Sequence, residues 1–205
     1  MKKNIITIVG MGLIITGVQS LAVDIKITKD LTSITAKDKG NTVIIKRVQK
    51  ANSKLNNDFN NIPKECPPYC IQPMNIGKVK TVGELEVLNF IKEMEDNTNT
   101  LLIDARARTW YKKGTIPTAI NLPFTILQKN GKYIQKVLAL LGGKKTDKKW
   151  NFDDAQTLLI FSNGAWDEDA TTEIKNLVDM GYPEDKILYY RSGMQMWNSV
   201  GLTIK

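Results

Sequence analysis

Leu158-Leu159-Ile160-Phe161 is a short apolar run that reads as a buried strand. It feeds into Ser162-Asn163-Gly164-Ala165-Trp166-Asp167-Glu168, and helical patterning begins at about Asp169. A strand–loop–helix turn of this kind aims backbone N–H groups and a helix N-terminus at one point, an arrangement that cradles an anion. Ser162 is the one hydroxyl-bearing residue of that loop. A serine hydroxyl needs a base, and the chain contains no histidine. That absence excludes Ser–His and Cys–His catalysis, imidazole proton transfer and histidine metal ligation. A lysine-activated serine would need a Ser-x-x-Lys spacing, which the chain lacks. Asp167, Glu168 and Asp169 crowd negative charge at the same helix start. Structurally they suit the macrodipole by about 0.3–1 kcal/mol each where exposed, and Asp167 or Asp169 fits the role of a helix cap. Functionally they would repel a small anion and suit a cation or a basic partner. Trp166 either lines a pocket beside the loop or packs half-buried.

Cys66 and Cys70 are the only thiols. In an exported chain two cysteines most simply form a structural disulfide. The ring they would close is small and stiffened by Pro67 and Pro68, which also permits a strained, reducible pair with a redox role. A third reading places Cys66, Cys70 and Met74 as soft ligands for Cu(I). The first reading is preferred, and no metal and no cofactor is expected.

Export is read from the N-terminus. Lys2 and Lys3 precede an apolar stretch from Ile5 to Val18, and Ser20-Leu21-Ala22 is a small-x-small cleavage site. The stretch is short for a membrane span; an uncleaved anchor is the alternative. Residues 1–22 are therefore expected to be a signal peptide, and the mature chain to be periplasmic with no membrane attachment. The formal net charge is +8, and loss of Lys2 and Lys3 lowers it by their 2 charges. The lysines are scattered apart from Lys144, Lys145, Lys148 and Lys149, which read as a solvated loop. Nothing interleaves aromatic and basic residues as a nucleic-acid surface would, so no nucleic-acid partner is expected.

The elements that must position the loop follow from periodicity. Asp24 to Thr35 alternates apolar and polar residues, Lys39-Gly40-Asn41 reads as a turn, and Thr42 to Val48 reads as a second strand: a hairpin signal. Two strands alone are marginal, so the hairpin must pack on the main domain. Residues 49–65, rich in Asn and Lys, read as a linker. Thr81-Val82-Gly83-Glu84 matches a capping box with Thr81 as N-cap, opening a helix to about Met94. Strands are expected at Leu101–Asp104, Ala119–Leu122 and Lys186–Tyr190. Helices are expected at Arg106–Lys113, Tyr133–Leu141, Thr171–Met180 and Met194–Ser199. Strands alternating with helices predict a parallel α/β sheet. Asp104 and Arg106, an acid at a strand end and an arginine beside it, read as a pair that holds loops in place rather than as catalytic groups.

The order of these motifs resembles the rhodanese family. Leu101-Leu102-Ile103-Asp104-Ala105-Arg106 is similar to the Leu-Ile-Asp-Val-Arg strand that opens rhodanese domains. Gly114-Thr115-Ile116-Pro117-Thr118-Ala119-Ile120-Asn121-Leu122-Pro123 is similar to Gly-His-Ile-Pro-Gly-Ala-Ile-Asn-Ile-Pro. Tyr190 to Trp197 is similar to the closing Gly-Gly-x-x-x-Trp motif, with Ser192 in place of the first glycine. Upstream, Cys66-Pro67-Pro68-Tyr69-Cys70-Ile71-Gln72-Pro73-Met74 resembles a Cys-Pro-Pro-Phe-Cys-Ile-Gln-Pro-Met segment of exported bacterial rhodanese-like proteins, whose active loop reads Phe-Cys-Asn-Gly-Pro-Trp-Cys-Gly. The resemblance implies a rhodanese-like parallel sheet flanked by helices over residues 66–205, with a small N-terminal β-hairpin and linker over 23–65. It also implies that Ser162 occupies the position of the sulfur-accepting cysteine, and that Asn163, Gly164, Ala165, Trp166, Asp167 and Glu168 form the active loop. In the family the partner is a small sulfur-containing anion. Here Ser162 cannot form a persulfide, which points to a pseudoenzyme acting as a binding or accessory module with a periplasmic protein partner. Sulfur or thiol–disulfide exchange through Cys66 and Cys70 is an alternative. So is an active parent sequence in which Ser162 was introduced by hand.

Overall fold

The computed structural model describes residues 25–50, 53–54, 56–59, 71–128, 131–147 and 149–205. The expected signal peptide, Cys66 and Cys70 lie outside the described residues.

A hairpin comes first, β1 (Ser33–Asp38) and β2 (Asn41–Lys46), antiparallel with Asp38 opposite Asn41. Lys39 and Gly40 both take positive φ, 49° and 85°, as a tight two-residue hairpin turn requires. The hairpin is where it was expected, but its first strand is shifted. Residues 25–32 are bends and turns rather than strand, with Ile27 and Thr28 both donating backbone N–H to the Leu31 carbonyl. The alternation that continues through Ile34, Ala36 and Asp38 is the one buried.

The sheet that carries the site follows. Its strands are β3 (Lys80–Thr81), β4 (Thr100–Asp104), β5 (Ile120–Asn121), β8 (Thr157–Phe161) and β9 (Ile187–Tyr190), in the order β3-β9-β8-β4-β5 and parallel throughout. Between β5 and β8 a small antiparallel ribbon, β6 (Lys144–Lys145) with β7 (Trp150–Asn151), lifts part of the lysine cluster to the surface.

The helices are α1 (Glu84–Glu93), α2 (Arg108–Lys113), α3 (Ile134–Leu140), α4 (Asp169–Asp179) and α5 (Gly193–Ser199). Helix α1 begins later than the Thr81 capping box predicts. Thr81 is spent in β3, opposite Tyr189, and its hydroxyl donates to the Met74 carbonyl. The cap is instead Gly83, whose N–H donates to the Glu86 carboxylate at 3.0 Å, one half of a capping box.

Two apolar layers sandwich the sheet. On one side α1 (Val87, Leu88, Phe90, Ile91) and α5 (Met194, Trp197) pack with the hairpin residues Ile34, Ala36 and Ile45. On the other, α3 (Leu138) and α4 (Ala170, Ile174, Leu177) pack with Ile103, Leu158, Ile160 and Tyr189. The alternating faces of β8 explain the split: Leu159 and Phe161 join the first layer, Leu158 and Ile160 the second. With both faces covered, β8 reads as a continuous apolar run, as a central parallel strand must. The hairpin is tied to the C-terminal segment: Val48 N–H donates to the Gly201 carbonyl at 2.8 Å, and Lys46 N–H to Thr203 Oγ1 at 3.0 Å. Among the described residues no helix is long and apolar enough to cross a membrane.

Candidate functional site

The loop after β8 sits at the carboxyl ends of the parallel strands, the edge at which open α/β sheets place their ligands. It is pinned from behind by α5. Met194 N–H donates to the Ser162 carbonyl at 3.0 Å, and Gln195 N–H to the Asn163 carbonyl at 2.8 Å. This close seating requires Gly193. Its φ is +55°, and a Cβ there would lie 2.3 Å from the Ser162 carbonyl oxygen and 2.8 Å from the Gly164 nitrogen, so no larger residue fits without moving the loop.

Within the loop, Asp167 N–H closes a turn onto the Gly164 carbonyl at 3.0 Å. The Asp167 side chain then folds back into the ring. Its Oδ2 accepts Asn163 N–H at 2.9 Å and Asn163 Nδ2 at 2.7 Å, and its Oδ1 accepts Asp169 N–H at 3.2 Å. Two of the backbone donors that the sequence aims at an anion, those of Asn163 and Asp169, therefore meet a carboxylate of the loop itself. Asp167 is buried, at 6% exposure. Ser162 is buried too, and its hydroxyl donates at 3.4 Å to the Asp167 carbonyl.

Below the loop lies a buried ion pair. Arg106 donates to Asp104 through Nε (2.8 Å) and a terminal nitrogen (2.6 Å), and both residues are 0% exposed. The same guanidinium reaches the Gly114 carbonyl at 2.7 Å and Asn163 Oδ1 at 3.2 Å. Asp104 also accepts Thr115 Oγ1 at 2.7 Å and Arg106 N–H at 3.1 Å. Asn163 is thus gripped on both sides, by Arg106 beneath and by Asp167 within the loop.

The electrostatics are acidic. Burial, then the charge of Asp167 and a hydrogen bond with it, push the Asp169 carboxyl up to about 8. Burial, then the charges of Asp104 and Asp169, hold the Glu173 carboxyl well above its usual range. Glu173 is 0% exposed, and among the described residues neither of its oxygens has a hydrogen-bond partner. The same holds for Trp166 Nε1 and the Tyr189 hydroxyl. Burial pushes that phenol up to about 12.

The sequence model of the rhodanese-like domain matches residues 88–200. The chain belongs to the rhodanese-like family. Solved structures similar to this rhodanese-like chain include the single-domain sulfurtransferase RDL2 of Saccharomyces cerevisiae, at 21% identity over 62% of this chain and 94% of that one, TM-score 0.43. A rhodanese-like domain from Anabaena sp. is 15% identical over 63% of this chain and 80% of that one, TM-score 0.40. A protein from Lactobacillus plantarum is 18% identical over 61% and 87%, TM-score 0.43. Among curated proteins none matches.

In this rhodanese-like chain the residues singled out from sequence are mostly brought together. Ser162, Asn163, Gly164 and Asp167 form the closed ring just described. Trp166 is half-buried beside it and Glu168 faces solvent. Asp104 and Arg106 hold loops, as expected of them. Of the upstream segment, Ile71 to Met74 are described. Gln72 lies against the loop: its N–H donates to the Ala165 carbonyl at 2.7 Å, its Oε1 accepts Thr171 Oγ1 at 2.9 Å, and its carbonyl accepts Arg191 Nε at 2.9 Å. Met74 is exposed. Among the described residues no group of acids is placed to hold a metal ion.

Gln72, Arg191 and Glu173 were not singled out from the sequence. Glu173 did carry a signal. It shares the inward face of α4 with Ala170, Ile174 and Leu177, so its position in the helical period already placed an acid in the core.

Proposed function

We propose that this protein is an exported, periplasmic rhodanese homologue that does not transfer sulfur, and that it acts as a binding or accessory module through the loop Ser162–Asp169. The observation that carries the reading is the Asp167 carboxylate seated on the N–H groups of Asn163 and Asp169. In a sulfurtransferase of this family those donors would stabilise an anionic persulfide. Here an internal anion takes them, and a second anion brought beside it would meet direct like-charge repulsion. The residue at the nucleophile position adds to this. Ser162 has an alcohol of very high pKa, no imidazole exists to deprotonate it, and a persulfide needs a sulfur atom. What the loop offers a partner is acidic and partly apolar: the exposed Glu168 with the half-buried Asp169 and Trp166. The test is a thiosulfate:cyanide sulfurtransferase assay of the mature chain. Turnover dependent on the protein would refute the proposal.

A second reading, thiol–disulfide or sulfane-sulfur exchange through Cys66 and Cys70, is favoured by one contact. Gln72, two residues after Cys70 in the sequence, is bonded to Ala165 of the loop. A thiol count before and after mild reduction, with trapping of mixed disulfides, tests it. A pair that neither reduces nor traps removes it.

A further inference from the structure

Two cavities meet at Arg47, at the end of α5 away from the loop. The first, about 450 Å³, lies between the end of β2 and the C-terminal segment. Its wall carries Lys46, Arg47 and Lys54 and, among the described residues, no acid. The second, about 400 Å³, lies between the turn before β1, the start of α1 and the end of α5, and its wall includes Ile27, Leu85, Leu88, Val200 and Leu202. Arg47 and Leu202 line both cavities and face one another across an antiparallel bridge. Each volume is of the size that takes a small molecule, about 300–1,000 Å³.

The charge of the first cavity is open. Arg47 Nε donates to the Val200 carbonyl at 2.8 Å, which anchors the guanidinium. Its two terminal nitrogens, Lys46 Nζ and Lys54 Nζ have no hydrogen bond or ion pair among the described residues. Elsewhere the lysines Lys113, Lys144 and Lys205 each pair with an aspartate, so three cations around one cavity without an acid are the exception. The neighbouring polar side chains are engaged locally: Gln49 Nε2 donates to the Ile25 and Arg47 carbonyls, and Thr203 Oγ1 accepts Lys46 N–H.

The second cavity is apolar and partly open. Leu85, on the first turn of α1, is 47% exposed. Glu84, the one acid in this wall among the described residues, accepts the Tyr190 hydroxyl at 3.0 Å. An apolar group lying against Leu85 would take that surface out of water.

We propose that the two cavities form one binding site for a small organic anion with an apolar tail, of the kind a medium-chain carboxylate represents. The anionic head lies on the Arg47 fork, with Lys46 and Lys54 drawn to it, and the tail lies against Ile27, Leu85 and Leu88. A guanidinium already anchored through Nε presents its remaining donors to a carboxylate in a fixed direction. Lys46, Arg47, Lys54, Ile27, Leu85 and Leu202 all lie outside residues 88–200, which match the family domain. The site therefore belongs to the hairpin extension and stands apart from the reading of the loop after β8.

The test is isothermal titration calorimetry of the mature chain at pH 7.5, with decanoate below micelle formation as the probe. The site predicts saturable binding of one decanoate per chain. It predicts binding weaker by about tenfold or more for acetate, which lacks the tail, and for decanol, which lacks the charge. Arg47→Gln and Leu85→Glu, which act on the head and the tail separately, should each weaken decanoate by about tenfold or more. Lys46→Gln/Lys54→Gln alters only exposed side chains and should weaken it in the same direction, which keeps the test valid if Arg47→Gln melts differently from wild type. Decanoate binding no tighter than acetate, many decanoates per chain, or an affinity unchanged in either Leu85→Glu or Lys46→Gln/Lys54→Gln overturns the site.

Discussion

Replacing Arg106 by Met should unfold the site from beneath. The guanidinium is fully buried and donates to Asp104, Gly114 and Asn163. Methionine fills much of the stem volume but supplies no donor. The Gly114 carbonyl and Asn163 Oδ1 lose their partner, and Asp104 keeps only Thr115 Oγ1 and the Arg106 backbone N–H. A buried charge left without its counter-ion costs about 3–5 kcal/mol, a large part of a typical total stability of about 5–15 kcal/mol. For a chain of this size each kcal/mol moves Tm by about 2–4 °C, so a fall of about 6–20 °C is expected. Arg106→Lys keeps the charge but cannot span acceptors on Asp104, Gly114 and Asn163 at once, and should fall between. The assay is urea denaturation followed by circular dichroism at pH 7, with Cm and slope read separately. A loss below about 1 kcal/mol for Arg106→Met, the size of a surface pair, would refute the idea that this guanidinium is the anchor of the loop.

Gly193→Ala should cost about 1–3 kcal/mol, since a side chain there takes a disfavoured positive φ and meets the Ser162 carbonyl at 2.3 Å. Thermal melts measure the loss, and an unchanged Tm would show that α5 does not pin the loop. Glu173→Met should stabilise the protein increasingly as pH rises. The wild-type carboxyl is protonated in the folded state well above its usual range, so wild-type stability falls as pH climbs above the ordinary glutamate value, while the variant has no such slope. Urea midpoints at pH 5, 7 and 9 read the difference, and parallel profiles for the two proteins would contradict it.

Much of this architecture is legible in the sequence, because strand and helix periods, turn glycines and motif order all point the same way. Leu158 to Phe161 reads as a buried strand and lies at the centre of the sheet, and Gly114, Gly142 and Gly193 mark sites of positive φ. What escapes is decided by tertiary competition. Thr81 is a good N-cap by type, but pairing with β9 takes its backbone, so Gly83 and Glu86 start α1. The alternation from Asp24 onward reads as one strand, yet only Ser33–Asp38 pairs with β2, while Ile27 and Leu31 pack on the same apolar layer from a looped backbone. Asp167 reads as a helix cap, and it does accept Asp169 N–H. That the same carboxylate also takes Asn163 depends on a loop conformation set by Arg106 and α5, contacts too remote in sequence to infer.

The account rests on Asp167 filling the cradle, and persulfide loading tests this most directly. Wild type, Ser162→Cys and Ser162→Cys/Asp167→Gly would be incubated with thiosulfate, and protein-bound sulfane sulfur read by cyanolysis. Loading transfers the sulfane sulfur to the thiolate and releases sulfite, so the thiolate, now an anionic persulfide, needs the loop donors. The wild type sets the background from Cys66 and Cys70. The account predicts that Ser162→Cys stays at that background and that Ser162→Cys/Asp167→Gly rises above it. Stoichiometric loading of Ser162→Cys alone would contradict it, because an occupied cradle could not have accepted the anion.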